Sequence, residues 1–217
     1  MKNMHATDVP SQAPIVIVDY GMGNLRSILK AFQRLHLPAV ISSNPCKIEH
    51  AGKLILPGVG HFRSGMAHLQ KLDLIPALNI AVLERKVPIL GICLGMQLFG
   101  VESEEGSVVG LGWLDASTRR FTIQDTKKYK IPHMGWNSIT AQKSSSLLNG
   151  LNRDALFYFV HSYHVVCNRS DDILCVTAYE NEFVSAVQRN NIYGTQFHPE
   201  KSHKSGMQML LNFAQRV

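Results

Sequence analysis

The 217-residue chain has little cysteine, and its cysteines form no disulfide or metal-binding pattern. Only four are present, Cys46, Cys93, Cys167 and Cys175, with neither a C-x-x-C pair nor the cysteine–histidine spacing of a zinc site. So few thiols in a chain of this length argue against a disulfide framework and favour a reducing compartment. We therefore expect a cytoplasmic protein, and we interpret Cys46, Cys167 and Cys175 as packing residues.

The chain also lacks a long apolar run. The most continuous one, residues 87–101, contains three glycines and Gln97 and falls short of the roughly 18–20 residues that cross a membrane. Residues 1–13 are polar and lack the apolar core of a signal peptide. We predict no membrane association, and we expect residues 1–13 to be a disordered N-terminal extension.

Basic side chains are in excess, but they are scattered. The chain has 22 Lys and Arg against 16 Asp and Glu, a net charge of +6, and its densest basic clusters are Arg119–Arg120 and Lys127–Lys128. A nucleic-acid binder more often has a basic stripe or a known reading module. The charge suits an anionic small substrate or an acidic partner surface better, so no nucleic acid is predicted.

Hydrophobic patterning predicts a single α/β domain over residues 14–217. Short β-branched or apolar runs that end in turn residues predict strands buried on both faces of a parallel sheet. Between them, apolar residues at helical spacing predict helices that pack against that sheet. The predicted strands are residues 15–18, 54–56 and 88–92, and the predicted helices are residues 25–35, 64–71 and 75–85.

The second half of the chain has a different texture. Between Trp113 and Phe197, runs that alternate or are rich in aromatic residues predict antiparallel strands, several of them linked as hairpins. These runs are residues 155–166, 173–179 and 184–188, and a last helix is predicted over residues 205–216. The expected fold is a mostly parallel central sheet flanked by helices, with an antiparallel portion in the second half.

The segment Gly91-Ile92-Cys93-Leu94-Gly95 places a cysteine between a buried strand and a helical stretch through residue 99. In this strand–turn–helix setting a nucleophile sits on a tight elbow at the carboxyl edge of a sheet. Flanking glycines allow the close backbone approach that such a turn needs. N–H groups at the start of the helix favour a thiolate, and that of Leu94 would face a developing oxyanion. The pattern also fits a plain buried cysteine in a turn.

The segment Gln196-Phe197-His198-Pro199-Glu200 follows a predicted strand and could supply a base with its partner. His198 would accept the Cys93 proton and later protonate a leaving amine, while Glu200 would hold the tautomer of the ring. Taken alone, this spacing also fits an unpartnered surface pair. A cysteine and a histidine that both follow strand ends fit a Cys-His-Glu triad better together than either does alone.

The segment Pro57-Gly58-Val59-Gly60 also follows a predicted strand. Glycine-rich backbone at that edge can present N–H groups to a substrate oxygen, although a plain turn fits as well. No Gly-Lys-Ser/Thr follows, so the segment is not a phosphate loop. Residues 21–23, Gly-Met-Gly, lack the third glycine of a dinucleotide-binding fingerprint.

These three motifs resemble the landmarks of the class I (triad) glutamine amidotransferases, which have a flavodoxin-like α/β fold. Further segments resemble, more narrowly, the glutaminase subunit of imidazole glycerol phosphate synthase, and they follow the family order over about residues 15–217. The segments are residues 19–25, 102–106, 132–137, 159–163 and 198–202.

The resemblance implies hydrolysis of L-glutamine to glutamate and ammonia through a γ-glutamyl thioester on Cys93, with His198 and Glu200 completing the triad. It implies no metal and no organic cofactor. It also implies an oxyanion hole of backbone N–H groups, part of which needs a peptide flip before it can donate. The residues of that hole are Gly58, Val59, Gly60 and Leu94.

The family's glutamine-binding positions correspond to five residues of this chain: Gln97, Glu105, His161, Ser162 and Tyr163. The resemblance places Gln97 against the substrate, Glu105 near its α-amino group and residues 161–163 along the pocket wall. Judged by pattern alone, Glu105 also fits an exposed loop acid, and His161 fits a packed core residue better than a ligand.

The resemblance further implies a heterodimer with a (β/α)₈ cyclase, which uses the ammonia to make imidazole glycerol phosphate and an aminoimidazole carboxamide ribotide in histidine biosynthesis. The positions that match the docking and gating surface are Asn24, Met134, Trp136, Tyr158 and Lys201. The sequence leaves open a paralogue that supplies ammonia for sugar amidination in surface-polysaccharide synthesis. A γ-glutamyl peptide hydrolase or a non-catalytic scaffold on the same fold is also left open.

Overall fold

Short apolar strands form the parallel half of a central sheet in the computed structural model, which describes residues 14–217. Their order is β2-β1-β3-β4, and each pairs in parallel with its neighbour. The bounds are β1 (Ile15–Val18), β2 (Ala39–Ser42), β3 (Lys53–Leu56) and β4 (Ile89–Ile92). The extension expected at residues 1–13 lies outside the described residues.

Helices cover both faces of this half because successive side chains of a strand point to opposite faces. Ile15 and Ile17 of β1 pack in one core with α1 and the C-terminal helix α6, whereas Val16 and Val18 pack in the other core with α3 and α4. The helices are α1 (Leu25–Arg34), α2 (Pro45–Glu49), α3 (Phe62–Lys71), α4 (Leu74–Asn79), α5 (Leu94–Gln97) and α6 (His203–Arg216).

The prediction of a single α-helix over residues 75–85 is wrong for its second half. The α-helix ends at Asn79, and a π-helical turn follows over Ile80–Glu84. Ala81 and Val82 are neighbours in this turn, and both are fully buried. The change of helix type therefore falls where the chain packs against the core, which apolar periodicity does not record.

The antiparallel half begins where β14 (Ile192–Thr195) pairs in parallel with β4 and antiparallel with β13 (Glu182–Arg189). From β13 the sheet continues through four strands in the order β11-β7-β5-β6, and β12 and β9 branch from β13. These six strands are β5 (Glu102–Ser103), β6 (Val108–Val109), β7 (Ala116–Arg120), β9 (Thr140–Ala141), β11 (Tyr163–Cys167) and β12 (Ile173–Ala178). The predicted fold class, a mixed α/β sheet with an antiparallel second half, is confirmed.

The aromatic run predicted over residues 155–166 divides at Ser162 between two sheets. Its second part is β11 of the central sheet, whereas its first part is β10 (Leu156–His161), which pairs antiparallel with β8 (His133–Ser138). This pair, the β8–β10 ribbon, lies outside the central sheet. None of the helices in residues 14–217 is long and apolar enough to cross a membrane.

Candidate active site

Cys93 lies on a strained elbow between β4 and α5. Its backbone has φ 55° and ψ −109°, a combination that L-residues adopt rarely and at a cost of about 1–3 kcal/mol. The N–H of Cys93 donates to Thr195 O at 2.7 Å, which ties the elbow to the end of β14. The helical stretch predicted through residue 99 is shorter than expected, because α5 is a single turn that ends at Gln97.

Gly95 allows the elbow to pack directly on the end of β3. A Cβ at this position would lie 1.8 Å from the carbonyl oxygen of Leu56, a distance at which no side chain fits. The close approach of the two backbones therefore requires glycine at position 95, as predicted from its place beside the elbow.

His198 and Glu200 form a buried pair. His198 Nδ1 lies 2.9 Å from Glu200 Oε1, and their side chains are only 2% and 1% exposed. Burial by itself lowers the pKa of His198, but the Cys93 thiol and the Glu200 carboxylate outweigh it and raise this pKa to about 9. His198 is therefore mainly protonated at neutral pH, which compensates the buried carboxylate charge.

The other ring nitrogen of His198, Nε2, is the one available to Cys93. Within residues 14–217, His198 Nε2 is buried without a hydrogen-bond partner. The thiol of Cys93 does not meet hydrogen-bond geometry with it, but Cys93 lies close enough to be the first of the groups that raise the pKa of His198. Catalytic contacts are commonly long before substrate binds, so this arrangement fits a nucleophile and its base.

A cavity of about 220 Å³ opens at the elbow. It is lined by Val59, Gly60, Cys93, Leu94, Gln97, Val160, His161, Ser162, Tyr163 and His198. The predicted nucleophile, base, part of the oxyanion loop and four of the five predicted glutamine-binding residues thus meet at one small site. A larger open groove of about 1060 Å³ lies along α6, but it contains neither Cys93 nor His198, so we place the active site at the smaller cavity.

The predicted oxyanion residues divide into two groups. Val59, Gly60 and Leu94 line the cavity, and Gly60 has φ +107°, which glycine tolerates and other residues rarely do. Gly58 lies behind them, where a Cβ would come within 2.7 Å of both Leu94 Cβ and Tyr20 Oη. The Tyr20 hydroxyl donates to Pro57 O at 2.6 Å and anchors the start of this loop.

Gln97 is tied into the wall of the cavity. Its Nε2 donates to the carbonyl oxygen of Tyr163 at 3.1 Å and to Oε1 of Gln196 at 3.0 Å. Both N–H groups of this amide are therefore occupied, and only Oε1 is left to accept from a ligand.

Glu105 lies outside the cavity lining and has a clear structural contact. Its carboxylate accepts from the N–H of Phe62 at 2.8 Å, at the start of α3. The loop that carries Glu105 is thereby held against the segment that follows residues 57–60. A role toward the amino group of glutamine remains a prediction for this residue.

Four of the predicted docking residues share one surface. Met134 and Trp136 of β8 are 62% and 44% exposed, and Tyr158 pairs with Trp136 across the β8–β10 ribbon. The Trp136 and Tyr158 rings lie 5.9 Å apart, and Lys201 Nζ lies 5.7 Å from the centre of the Tyr158 ring.

The fifth predicted docking residue, Asn24, caps α1. Its side chain accepts from the N–H of Ser27 at 3.3 Å, and α1 packs against the turn over Pro199–Lys201. Asn24 therefore begins a helix that packs against the catalytic segment, while its docking role stays a prediction.

The backbone of Tyr158 holds the catalytic segment. Its carbonyl accepts from the N–H of His198 at 2.9 Å, and its N–H donates to Ser202 Oγ at 3.0 Å. Ser202 Oγ also donates to His198 O at 2.6 Å. Sequence reasoning assigns no role to Ser202, because no local pattern pairs it with β10.

The interpretation of the other cysteines as packing residues is partly wrong. Cys175 is buried, and Cys167 is half-buried, and burial is the main cause that raises the pKa of both thiols to about 12. Cys46 is exposed in the first turn of α2, a short amphipathic helix whose apolar contact is made by Ile48.

Comparison with known proteins identifies the class that this site defines. A family model described as "Glutamine amidotransferase class-I" matches residues 16–217. The chain therefore belongs to the class-I glutamine amidotransferases, and the enzyme class expected from the resemblance is confirmed.

Two curated relatives narrow the family. The chain is 50% identical to "Imidazole glycerol phosphate synthase subunit HisH 2" of Methanococcus maripaludis, over 94% of this chain and 100% of the relative. It is 47% identical to the protein of the same description from Pseudomonas aeruginosa, with the same coverage. Within the class, the chain belongs with the HisH glutaminase subunits of imidazole glycerol phosphate synthase.

Solved structures bear out the fold. The structure of PurLQS from Thermotoga maritima contains a chain that superposes with a TM-score of 0.67 at 16% identity, covering 93% of this chain and 97% of that one. At this identity the likeness concerns the fold and not the acceptor of ammonia.

Proposed function

We propose that this protein hydrolyses L-glutamine at Cys93 and delivers the ammonia to a (β/α)₈ cyclase in histidine biosynthesis. The observation that carries the proposal is the meeting of Cys93 with the buried His198–Glu200 pair at a cavity sized for a small substrate. Membership of the family supports the same assignment. Four free thiols support the cytoplasm as its compartment.

The proposed reaction has two stages, both of which use the groups at this cavity. The thiolate sulfur of Cys93 attacks the carboxamide carbon of glutamine, and protonated His198 gives its Nε2 proton to the leaving nitrogen. The carbon–nitrogen bond breaks, ammonia leaves and a γ-glutamyl thioester remains. Water then attacks the thioester and gives a proton to His198, the carbon–sulfur bond breaks, and glutamate leaves, which restores the Cys93 thiolate and protonated His198.

Backbone N–H groups stabilise the charge that develops on oxygen. The N–H of Leu94 begins α5, where first-turn donors have no partner within the helix. A second donor comes from the loop with Val59 and Gly60, where the glycine allows the peptide to rotate. One such donor contributes about 3–4 kcal/mol to transition-state stabilisation, so its alignment can decide whether the enzyme turns over.

The partner surface in this proposal is the exposed face around Met134, Trp136, Tyr158 and Lys201. Aromatic and methionine side chains are enriched in the cores of protein interfaces, where charged residues are depleted. Lys201 adds one cation beside the Tyr158 ring, which suits an acidic residue of the cyclase.

The test is release of glutamate from glutamine, measured for the chain alone, with a histidine-pathway cyclase, and with that cyclase and its ribonucleotide substrate. We expect turnover to rise at least about a hundredfold, roughly 3 kcal/mol in barrier height, only when both are present. Turnover that does not change when the cyclase is added would overturn the assignment of the cyclase as the acceptor of ammonia. Sugar amidination would then be the alternative to test.

Cys93→Ala is the matched variant for the nucleophile. We expect it to abolish synthesis from glutamine while the complex still uses free ammonia, because the cyclase reaction does not involve the thiol. Retained synthesis from glutamine in Cys93→Ala would show that another residue is the nucleophile. The same variant also distinguishes loss of chemistry from loss of assembly, since the ammonia-dependent rate reports the complex.

A further inference from the structure

A second polar side chain besides His198 reaches the nucleophile. Nε2 of Gln196 lies 3.6 Å from Cys93 Sγ, within the range of an N–H···S hydrogen bond. Gln196 follows β14 directly and is fully buried. A buried amide is expected to use its donors, and here the sulfur is the acceptor that Nε2 faces.

The orientation of this amide is fixed by its other neighbour. Gln97 donates one N–H to Tyr163 O and the other to Gln196 Oε1. Since Gln196 must accept from Gln97 with its oxygen, its NH₂ group is left facing Cys93. The reversed amide would set two donors against each other.

Tyr163 O is itself held in place by a second donor. His161 Nδ1 lies 2.8 Å from this carbonyl oxygen, so Nδ1 carries the proton and Nε2 is an acceptor. Nε2 in turn lies 3.1 Å from Nδ1 of His133, which must therefore donate. Burial lowers the pKa of His161 to about 3 and that of His133 to about 4, so both rings are neutral at working pH.

The hydrogen bonds converge on Tyr163 O, which accepts from both of its neighbours. His161 in β10 donates to it after accepting from His133 in β8, and Gln97 in α5 also donates to it. Because a carbonyl oxygen can only accept, the Gln97 NH₂ group faces Tyr163 O and Gln196 Oε1, which leaves the Gln196 NH₂ group as the donor on the sulfur.

Two titratable side chains of the described residues influence, and are influenced by, Cys93. His198, with Glu200 behind it, comes from the segment after β14, and the Tyr20 hydroxyl comes from the loop after β1. The Tyr20 hydroxyl already donates to Pro57 O, so its proton is not available to the sulfur. Gln196 is thus a neutral donor to the sulfur, beside the charged His198, before the sulfur attacks.

We propose that Gln196 is a positioning residue for Cys93, whose side-chain amide donates to the sulfur, stabilises the thiolate and fixes its direction of attack. The proposal rests on the role of Cys93 as nucleophile under the proposed function. Gln97 and the carbonyl of Tyr163 keep the amide in the only orientation that allows this contact.

The test is the pH profile of Cys93 alkylation by iodoacetamide, read by mass spectrometry of the Cys93 peptide so that Cys46 does not contribute. In Gln196→Met, which keeps the length of the side chain and removes the donor, we expect the midpoint of this profile to rise by about one pH unit. At a pH below both midpoints alkylation should fall about tenfold, because one unit there corresponds to a tenfold change in the thiolate fraction. Glutamine turnover should lose more in kcat than in KM.

Gln188→Met is the matched control. Gln188 lies in β13, one strand from Gln196, and its amide contacts Tyr193 and not the active site. We expect wild-type alkylation and turnover in this variant. A midpoint in Gln196→Met equal to that in Gln188→Met would overturn the proposal.

Gln196→Glu keeps the shape of the side chain and covers the case in which Gln196→Met folds poorly, as judged by its thermal midpoint. A carboxylate beside the sulfur should raise the alkylation midpoint further than methionine does. An unchanged midpoint in folded Gln196→Glu would also contradict the proposal. Neither result depends on glutamine turnover, so failure of this inference is distinguishable from failure of the Cys93 assignment, which Cys93→Ala tests.

Discussion

At the scale of single residues, the pair His198 and Glu200 couples catalysis to stability. A protonated histidine next to a buried carboxylate is favoured only in the folded chain, so the folded pKa, about 9, lies above the ordinary value of about 6.5. The stabilisation is fully present below pH ~6.5 and is lost as the pH rises through about 9. The His198–Glu200 pair therefore stabilises the folded state in the same pH range in which His198 holds the proton that the proposed reaction requires.

We predict that His198→Gln loses this pH dependence. The wild type should be more stable than the variant by about 3 kcal/mol near pH 6, and the difference should shrink as the pH approaches 9. Urea unfolding of both proteins at pH 6, 7.5 and 9 measures it, and taking the difference removes the titration of other groups. A difference that stays constant with pH would contradict the raised pKa.

The triad is the part of the site that the sequence predicts best, because each member belongs to a short motif at a strand end. Gln196 was missed, although a signal for it exists. Residues i and i+2 of an extended segment point to the same side, so placing His198 in the site also points Gln196 toward it. Ser202 had no such signal, since its bonds to His198 and Tyr158 depend on the contact between two distant segments.

At the scale of elements, the strained turn at Cys93 fixes the position of the nucleophile. It joins β4, α5 and the end of β14, and its backbone strain is held by the bond from Cys93 to Thr195 and by the packing of Gly95 on β3. Strain of this kind persists only where the surroundings fix the backbone.

We predict that Gly95→Ala destabilises the protein by about 3 kcal/mol and also lowers glutamine turnover, because its Cβ must push the elbow away from β3. Gly112→Ala is the control: a Cβ there meets nothing within 4 Å, and only the positive φ of +68° opposes it. We expect a cost of about 1 kcal/mol and normal turnover for the control. Equal losses in the two variants would remove the steric explanation.

Element prediction succeeded where periodicity was strong and failed where the chain changes sheet or helix type. The strand at 15–18 and the helix from residue 25 are local patterns, and the structure has β1 and α1 there. The split of residues 155–166 at Ser162 depends on β10 finding β8 rather than the central sheet. The π-helical turn after Asn79 likewise depends on tertiary packing, which no window of sequence contains.

At the scale of the whole molecule, the parallel half carries the nucleophile and the β8–β10 ribbon carries the exposed face. The two meet at the segment after β14, where His198 and Lys201 lie three residues apart. The described surface therefore places the proposed docking face directly beside the active site rather than on the far side of the sheet.

We predict that Trp136→Ala weakens association with the cyclase by about 2 kcal/mol, roughly thirtyfold, because a central aromatic side chain commonly dominates an interface. Titration calorimetry with the purified cyclase measures the affinity. Val109→Ala is the control, since Val109 is 72% exposed but lies in β6 at the far edge of the central sheet. If the two variants bind the cyclase equally well, the β8–β10 ribbon is not the interface.

Tyr158 contributes both to the proposed docking face and to the support of the catalytic segment. Its ring lies between Trp136 and Lys201 on the outer face, while its peptide groups hold His198 and Ser202 on the inner side. Any displacement of β10 by a partner on the proposed docking face would therefore reach the backbone of His198 through a single residue. The side chain of that residue belongs to the outer surface, and its peptide groups are part of the support of the catalytic segment.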